Sequence, residues 1–286
     1  MSRVKLALLL LAATGGMALG LASGPFASAA EAATVARSVT LEDLAQKLTD
    51  RFVDPDVGLK YAAMLRANAK AGKYDAIGDD AEFAKAVTAD LQAVAFDGHL
   101  KVKVEGAPAT GNSGGPSASE IKAIEAAARL TPGIAYIRIG KFFGEPEAME
   151  AIEKFLTDNA DAQTIIIDVT THIGGGLAEM DLMFPMLFDK GQVLVGMDTR
   201  SGVRSPMGDG PTMRTIASPA TVVRREHFVT PTATPVGNLR KAKVFVLASG
   251  RTGSAGEHFV LSMKRTKRAT VIGETTYGAG NFGGGV

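Results

Sequence analysis

The chain has 286 residues, 46% of them hydrophobic and 21% charged, a composition that excludes a disordered or fibrous protein. It contains no cysteine, which excludes disulfides, a thiol nucleophile and a zinc site built on cysteine ligands. Because a thiol is excluded, any covalent catalysis must use another type of nucleophile. The formal net charge of +1 argues against a nucleic-acid-binding protein.

Residues 1–29 have the pattern of a secretory signal peptide. Arg3 and Lys5 precede an apolar stretch that glycines interrupt, and small residues at 27–29 form a cleavage pattern. We expect cleavage near Ala30, an exported protein that is periplasmic or extracellular, and no stable membrane insertion afterwards. The mature chain would then carry 29 basic and 30 acidic residues, since the leader contains two of the 31 basic ones. The alternative is an uncleaved membrane anchor, but no positively charged flank follows the leader.

The next part of the chain, residues 38–105, predicts a small N-terminal helical bundle. Apolar residues recur at three- and four-residue spacing in three stretches, 40–52, 59–72 and 79–96. Thr40, and either Asp79 or Asp80, are predicted to be N-caps of these helices.

The helical domain is predicted to end in a strand, because "HLKVKVEG" (99–106) alternates apolar and polar residues. Residues 106–119 are rich in glycine, proline and serine and predict a linker. A second module, spanning 120–286, is expected to follow.

Strand and helix patterns alternate in this second module. Runs rich in β-branched residues, such as "TIIID", suit strands that are buried on both faces, so the pattern predicts an α/β core with largely parallel strands. Residues 201–220 are rich in glycine, proline, serine and threonine and predict a surface excursion. The predicted strands are 133–140, 163–170, 192–199, 242–249 and 269–275, and the predicted helices are 145–159, 177–188 and one that begins after Ser254.

Two junctions between a strand and a helix are candidates for a functional site, because helix N-termini offer free N–H groups there. The first contains three glycines, Gly174, Gly175 and Gly176, whose amides could stabilise an anion. In the second, small neighbours leave the Ser254 hydroxyl uncrowded, and the amide of Ala255 faces the same space. Together the junctions could supply a nucleophile and an oxyanion hole.

On local pattern alone, Ser254 has two interpretations. The stretch Gly253 to Gly256 is close to a G-x-S-x-G nucleophile elbow. Ser254 and Glu257 also form the Ser-x-x-Glu pattern of a capping box, which predicts an ordinary helix N-cap. The two roles are compatible.

The order of several motifs resembles the tail-specific, C-terminal processing protease superfamily. "DGHL", "GIAYIRIGKF", "IIIDVTTHIGGG", "SGRTGSAGEHF" and "VIGETTYGAG" follow one another as in that superfamily, over roughly residues 39–280. The likeness is to the bacterial branch grouped with tricorn protease and interphotoreceptor retinoid-binding protein. The resemblance implies a crotonase-like core, a β-β-α superhelix, preceded by the small helical bundle.

The resemblance also implies roles for individual residues. The nucleophilic serine falls on Ser254 and the general base on His99, and histidine is a base that titrates near neutral pH without perturbation. The oxyanion hole falls on Ala255 and on an amide of the glycine run, for which Gly175 is our choice. We expect Gly174, Gly176 and His172 to bind substrate, and no cofactor or metal is expected.

Three departures from the superfamily pattern accompany this resemblance. Ala279 occupies the position of the lysine that activates serine in the Ser-Lys members, so a dyad of that pattern is excluded. Asp168 to His172 replaces Asp-Leu-Arg-x-Asn, so the turn lacks an arginine and an asparagine. We also expect the core to be incomplete at its C-terminal end, without the acidic residue that supports the histidine.

The other histidines have their own interpretations. Apart from its assignment to substrate binding, His172 could be an ordinary loop histidine, and His227 is expected to be solvated. His258 lies four residues after Ser254 on one helix face, so it is a lesser candidate for the base. Apart from its assignment as the base, His99 could be a buried or interface histidine.

The sequence thus predicts an exported serine-type endopeptidase that acts on protein or peptide substrates through a Ser254 acyl-enzyme, and it leaves the oligomeric state open. The main alternative is a non-catalytic relative of the same fold that binds a peptide or an apolar ligand. A third possibility is that the chain is a defective fragment.

Overall fold

A computed structural model describes residues 29–104, 119–205 and 207–281 of the chain. The signal-peptide prediction and most of the predicted linker lie outside these residues. Within these ranges six helices and eight strands follow in chain order: α1 (Ala29–Arg51), α2 (Pro55–Lys70), α3 (Asp80–Val94), β1 (Ile124–Thr131), β2 (Ile134–Ile139), α4 (Pro146–Asp158), β3 (Thr164–Asp168), α5 (Ala178–Leu187), β4 (Gln192–Arg200), β5 (Met213–Ile216), β6 (Val222–Val229), β7 (Lys243–Ala248), α6 (Ala255–Arg265) and β8 (Thr270–Gly273).

The first three helices pack around an apolar cluster of their own. Two of them begin at aspartate caps: the Asp54 carboxylate accepts from the N–H groups of the first turn of α2, and Asp79 accepts from Glu82 N–H at the start of α3. The prediction that Thr40 is an N-cap is wrong, because Thr40 lies inside α1 and its hydroxyl donates to the Ala36 carbonyl. The fully buried members of the cluster are Ala45, Tyr61, Leu65, Val87 and Leu91.

The strand predicted at 99–106 is not found in the described part of that stretch. Residues 101–104 belong to no helix or strand, and Val102 N–H donates to the Thr88 hydroxyl of α3 at 2.9 Å. Leu100 and Val102 pack against the helical cluster. The alternation therefore reflects an extended segment whose apolar side lies on helices, without a neighbouring strand to pair with.

The main sheet has five strands in the order β1-β2-β3-β7-β8. β2, β3, β7 and β8 are parallel, and β1 pairs antiparallel to β2 at the edge. The predicted, largely parallel α/β core is therefore confirmed. β1 was not predicted, since its sequence "IEAAARLT" has few residues that favour strands and its side chains are mostly exposed.

A second sheet is antiparallel, in the order β4-β6-β5. β4 matches the strand predicted at 192–199, β5 lies inside the stretch 201–220 that was predicted to be a surface excursion, and β6 follows it. β6 contains the polar run "RREH", which conceals its strand character in the sequence. The expectation that His227 is solvated is wrong, because this residue is fully buried.

A partly buried arginine after α6 connects its own segment to the end of α5 and to the stretch before β7. Arg268 donates to the carbonyl oxygens of Leu187 at 2.6 Å, Leu239 at 2.7 Å and Ala242 at 3.0 Å. Burial lowers the pKa of its guanidinium. The preceding Lys264 and Arg265 lie in the last turn of α6, as the sequence predicted, where positive charge suits the helix dipole.

Arg268→Ala is expected to reduce the free energy of unfolding by about 3 kcal/mol, because three carbonyls of buried residues lose their donor. Urea titration followed by circular dichroism measures this loss. Arg265→Ala is the matched control: it removes the same charge from the exposed end of α6 and should cost about 0.3–1 kcal/mol. Equal losses in the two variants would contradict this role of Arg268.

Candidate active site

Ser254 lies on the turn that leads from β7 into α6, with an unusual backbone conformation. Its φ is 54° and its ψ is −118°, and Lys267 is the only other non-glycine residue with positive φ in the described part of the chain. Such a conformation is costly for a residue with a side chain and concentrates at functional sites. It also exposes a serine on a strand-to-helix turn, as in a nucleophile elbow.

Glu257 fixes this turn through its carboxylate. Oε2 accepts from the N–H of Ser254 at 2.8 Å and of Ala279 at 2.7 Å, and Oε1 accepts from Gly278 N–H at 2.7 Å. Ser254 and Glu257 form the capping box that the sequence predicted. The cap leaves room for a reactive hydroxyl, since a serine oxygen has two acceptor lone pairs as well as its own proton.

The glycine turn of the first junction lies directly against Ser254. A Cβ added to Gly174 would come within 2.7 Å of the Ser254 Cβ, and the φ of Gly174 is +116°. A side chain at this position is therefore excluded both by space and by conformation. The two junctions that the sequence singled out meet in the structure.

Two of the amides near Ser254 have no acceptor among the described residues. Gly174 N–H donates to His172 Nδ1 at 3.0 Å, and Gly176 N–H donates to the Phe142 carbonyl at 2.5 Å. The N–H groups of Gly175 and Ala255 make no such bond within the described ranges. Free N–H groups of this kind can bind a developing oxyanion.

His172 supports the glycine turn from within the core. Its side chain is fully buried and lies edge-on to Phe142, with ring centroids 4.2 Å apart. Burial lowers its pKa to about 3, so the ring remains neutral and Nδ1 can accept from Gly174 N–H. The expectation that His172 contacts substrate directly is wrong, because the ring has no exposed surface.

Gly256 makes room for this buried ring. A Cβ at Gly256 would lie 2.6 Å from His172 Nδ1, the atom that holds the glycine turn. The first turn of α6 therefore packs against His172 only because residue 256 lacks a side chain.

The "DGHL" segment (97–100) contacts residues 278–281, part of which is held by the Glu257 carboxylate. Gly98 N–H donates to the Gly278 carbonyl at 3.1 Å, and the buried Asp97 accepts from Asn281 Nδ2 at 3.1 Å. His99 is exposed, and its Nδ1 contacts the Asn281 carbonyl oxygen. The His99 ring makes no hydrogen bond to Ser254 within the described ranges.

A cavity of about 240 Å³ opens beside Ser254. Its wall also includes Asn281, the residue that contacts His99. Asn281 and Ser254 therefore line the same cavity. The lining residues are Val53, Val195, Gly196, Met197, Asp198, Ser254, Glu257, His258, Leu261, Gly280 and Asn281.

A chain of three side chains leads away from this cavity into the protein. His258 Nε2 lies 2.8 Å from His227 Nδ1, and His227 Nε2 lies 2.9 Å from Asp181 Oδ1. Sequence reasoning missed Asp181, because nothing in the sequence indicates that α5 and β6 place it beside these histidines.

Among the described residues, no cluster of three or more His, Cys, Asp or Glu side chains is placed to hold a metal ion. Within the same residues, no helix combines the length and the apolar character needed to span a bilayer.

Comparison with solved structures finds similar chains with TM-scores below 0.5. The photosystem II D1 C-terminal processing protease is 17% identical over 50% of this chain and 31% of its own, with a TM-score of 0.37. Mature CPAF is 15% identical over 52% and 38%, with a TM-score of 0.38. A lipoprotein from Streptococcus agalactiae is 13% identical over 91% and 80%, with a TM-score of 0.41.

Two family models match the sequence. Residues 133–284 match peptidase family S41, and residues 27–133 match the N-terminal domain of peptidase S41 in eukaryotic IRBP. The first match alone covers more than half of the 286 residues and contains both junctions of the site. The chain belongs to peptidase family S41.

Proposed function

We propose that this S41 chain is an exported serine-type endopeptidase that cleaves protein or peptide substrates through a Ser254 acyl-enzyme. The observation that carries the proposal is the strained Ser254 turn, packed against a glycine turn, with the Gly175 and Ala255 amides lacking acceptors among the described residues. A nucleophile and two oxyanion donors on adjacent turns are the elements that acyl transfer needs.

The proposed reaction has two halves. Ser254 Oγ attacks the scissile carbonyl carbon while His99 takes the hydroxyl proton, and the resulting oxyanion accepts from the Gly175 and Ala255 N–H groups. The C–N bond then breaks, His99 returns the proton to the leaving amine, and the acyl group remains on Ser254. A water molecule, deprotonated by His99, then attacks the acyl carbon and forms a second tetrahedral intermediate. When it collapses, the bond between the acyl carbon and Ser254 Oγ breaks, His99 returns the proton to Oγ, and the acid is released.

The contacts of His99 support its role as the base. A carbonyl oxygen can only accept, so the contact with Asn281 requires the proton on Nδ1 and leaves Nε2 as the basic nitrogen. In this arrangement the Asn281 carbonyl orients the ring, the task that the resemblance assigns to an acidic residue. His99 would have to approach Ser254 when substrate binds, and catalytic hydrogen bonds often tighten only in such complexes.

A non-catalytic binding protein is the second candidate, because His99 does not contact Ser254 and the glycine turn lacks the arginine and asparagine of the usual motif. In that case the cavity beside Ser254 would hold a peptide or an apolar ligand without cleaving it.

The finer organisation of the chain is part of the same proposal. Residues 1–29 form a signal peptide and 38–105 a helical domain, and 106–119 link it to a crotonase-like core in 120–286. The N-terminal helices with their own apolar cluster, and the α/β core after Glu120, support this division.

A fluorophosphonate probe tests the nucleophile and its base. We expect the purified protein to be labelled at Ser254, and His99→Gln to slow labelling about 10²- to 10⁴-fold, the usual contribution of a general base. Mass spectrometry locates the adduct and gives its rate. Lys101→Ala, an exposed change two residues from His99, is the control and should label at the normal rate. Folded protein without any adduct would leave the binding protein as the better account.

Gly174→Ala tests the contact between the two turns. The added methyl group would press on the Ser254 Cβ, so we expect labelling of Ser254 to slow about 10²-fold, the cost of misplacing a reacting group by about 1 Å. Gly208→Ala is the matched control, since its methyl group would meet open space. Labelling rates that agree between the two variants would show that the glycine turn does not position the serine.

A further inference from the structure

The hydrogen bonds that link the side chains of Asp181, His227 and His258 run in one direction. Thr212 Oγ1 donates to Asp181 Oδ2 at 3.0 Å, and the other carboxylate oxygen faces His227 Nε2 at 2.9 Å. A carboxylate only accepts, so a neutral His227 ring carries its proton on Nε2 and offers Nδ1 as an acceptor. His258 must then donate from Nε2, which leaves its Nδ1 without a proton.

This unprotonated nitrogen is open to a ligand. His258 Nδ1 makes no hydrogen bond to another described residue, and it is not buried away from solvent. The ring lines the cavity beside Ser254. Burial lowers the pKa of His258 to about 3, so the ring stays neutral at ordinary pH. It is therefore a permanent acceptor.

The two carboxylates of the cavity wall already have hydrogen-bond partners. Asp198 accepts from Arg224 through both oxygens at 2.6 Å, and the Glu257 carboxylate holds three main-chain N–H groups. Around them the wall is largely apolar, with Val53, Val195, Met197 and Leu261. A group with an apolar stem and a hydrogen-bond donor at its tip matches this environment.

The size of the cavity favours one side chain over a whole ligand. Its volume of about 240 Å³ lies below the range of about 300–1,000 Å³ that is usual for small-molecule pockets. Because Ser254 lines the same cavity, the side chain that fills it would belong to a residue near the scissile bond.

We propose that His258 is a specificity-determining residue that selects peptide substrates with an N–H donor side chain, such as glutamine or lysine, in the cavity beside Ser254. Asp181 and His227 are positioning residues that keep the acceptor nitrogen of His258 facing the substrate. This inference rests on the proposed peptidase function and adds a substrate class to it. A site built around an unpaired acceptor discriminates strongly against an analogue that lacks the donor.

The test uses a peptide library of natural sequences, with cleavage sites read by mass spectrometry, on the full chain. Glutamine and methionine are similar in length, and only glutamine donates a hydrogen bond from its tip. At one position next to the scissile bond we expect wild-type protein to favour glutamine over methionine by about tenfold or more. His258→Phe keeps a ring in the wall and removes the acceptor, so this preference should disappear.

A second variant keeps the wall intact. Asp181→Ala retains His258 but releases the tautomer of His227, and the glutamine preference should fall while fluorophosphonate labelling of Ser254 stays within about threefold of wild type. A loss of folding alone would not change the ratio of glutamine to methionine, so this ratio separates positioning from a structural role. If His258→Phe does not fold, Asp181→Ala alone decides.

Each outcome bears on one of the two proposals. Labelling and cleavage with no glutamine preference, or with the same preference in the variants, would overturn the role of His258 and leave the peptidase standing. A folded wild-type protein that neither labels nor cleaves would overturn the peptidase, and the substrate class with it.

Discussion

The site depends on the hydrogen bonds that the Glu257 carboxylate accepts from the main chain. The carboxylate accepts three main-chain N–H groups, one from the Ser254 turn and two from residues 278 and 279. Hydrogen bonds to a charged group are worth about 1.5–3 kcal/mol each, so three of them can hold Ser254 in a costly conformation. The same segment carries the docking site of "DGHL", and Glu257 thereby links the N-terminal helices to the serine.

Two neutral histidines, the buried His172 and the half-buried His258, form the second layer of the site. His172 uses a ring nitrogen to orient Gly174, and His258 is held by His227 and Asp181. In both His172 and His258, burial lowers the pKa to about 3, so each offers an unprotonated nitrogen at neutral pH. Unlike a lysine or an arginine, a neutral imidazole can accept a hydrogen bond in the interior at small cost in desolvation.

Much of the α/β core could be predicted from sequence, and the reasons for the failures are physical. β3 and β7 are short runs of β-branched and aromatic residues buried in the sheet, and such runs have few other stable environments. β1 and β6 were missed because an exposed edge strand and a strand with a polar run lose that signal. The stretch 99–104 shows the reverse error, since an alternating pattern also suits an extended segment on helices.

The sequence by itself determined the local chemistry: a serine between small residues at the start of a helix, a glutamate three residues later, and a triple glycine after a strand. These are short-range features, and the chain positions that produce them are adjacent. The tertiary structure alone decided that Gly174 touches Ser254, that His172 is buried behind it, and that Asp181, His227 and His258 form one chain. Those contacts join residues 31 to 84 positions apart, and no local pattern specifies them because they depend on how the helices and sheets pack.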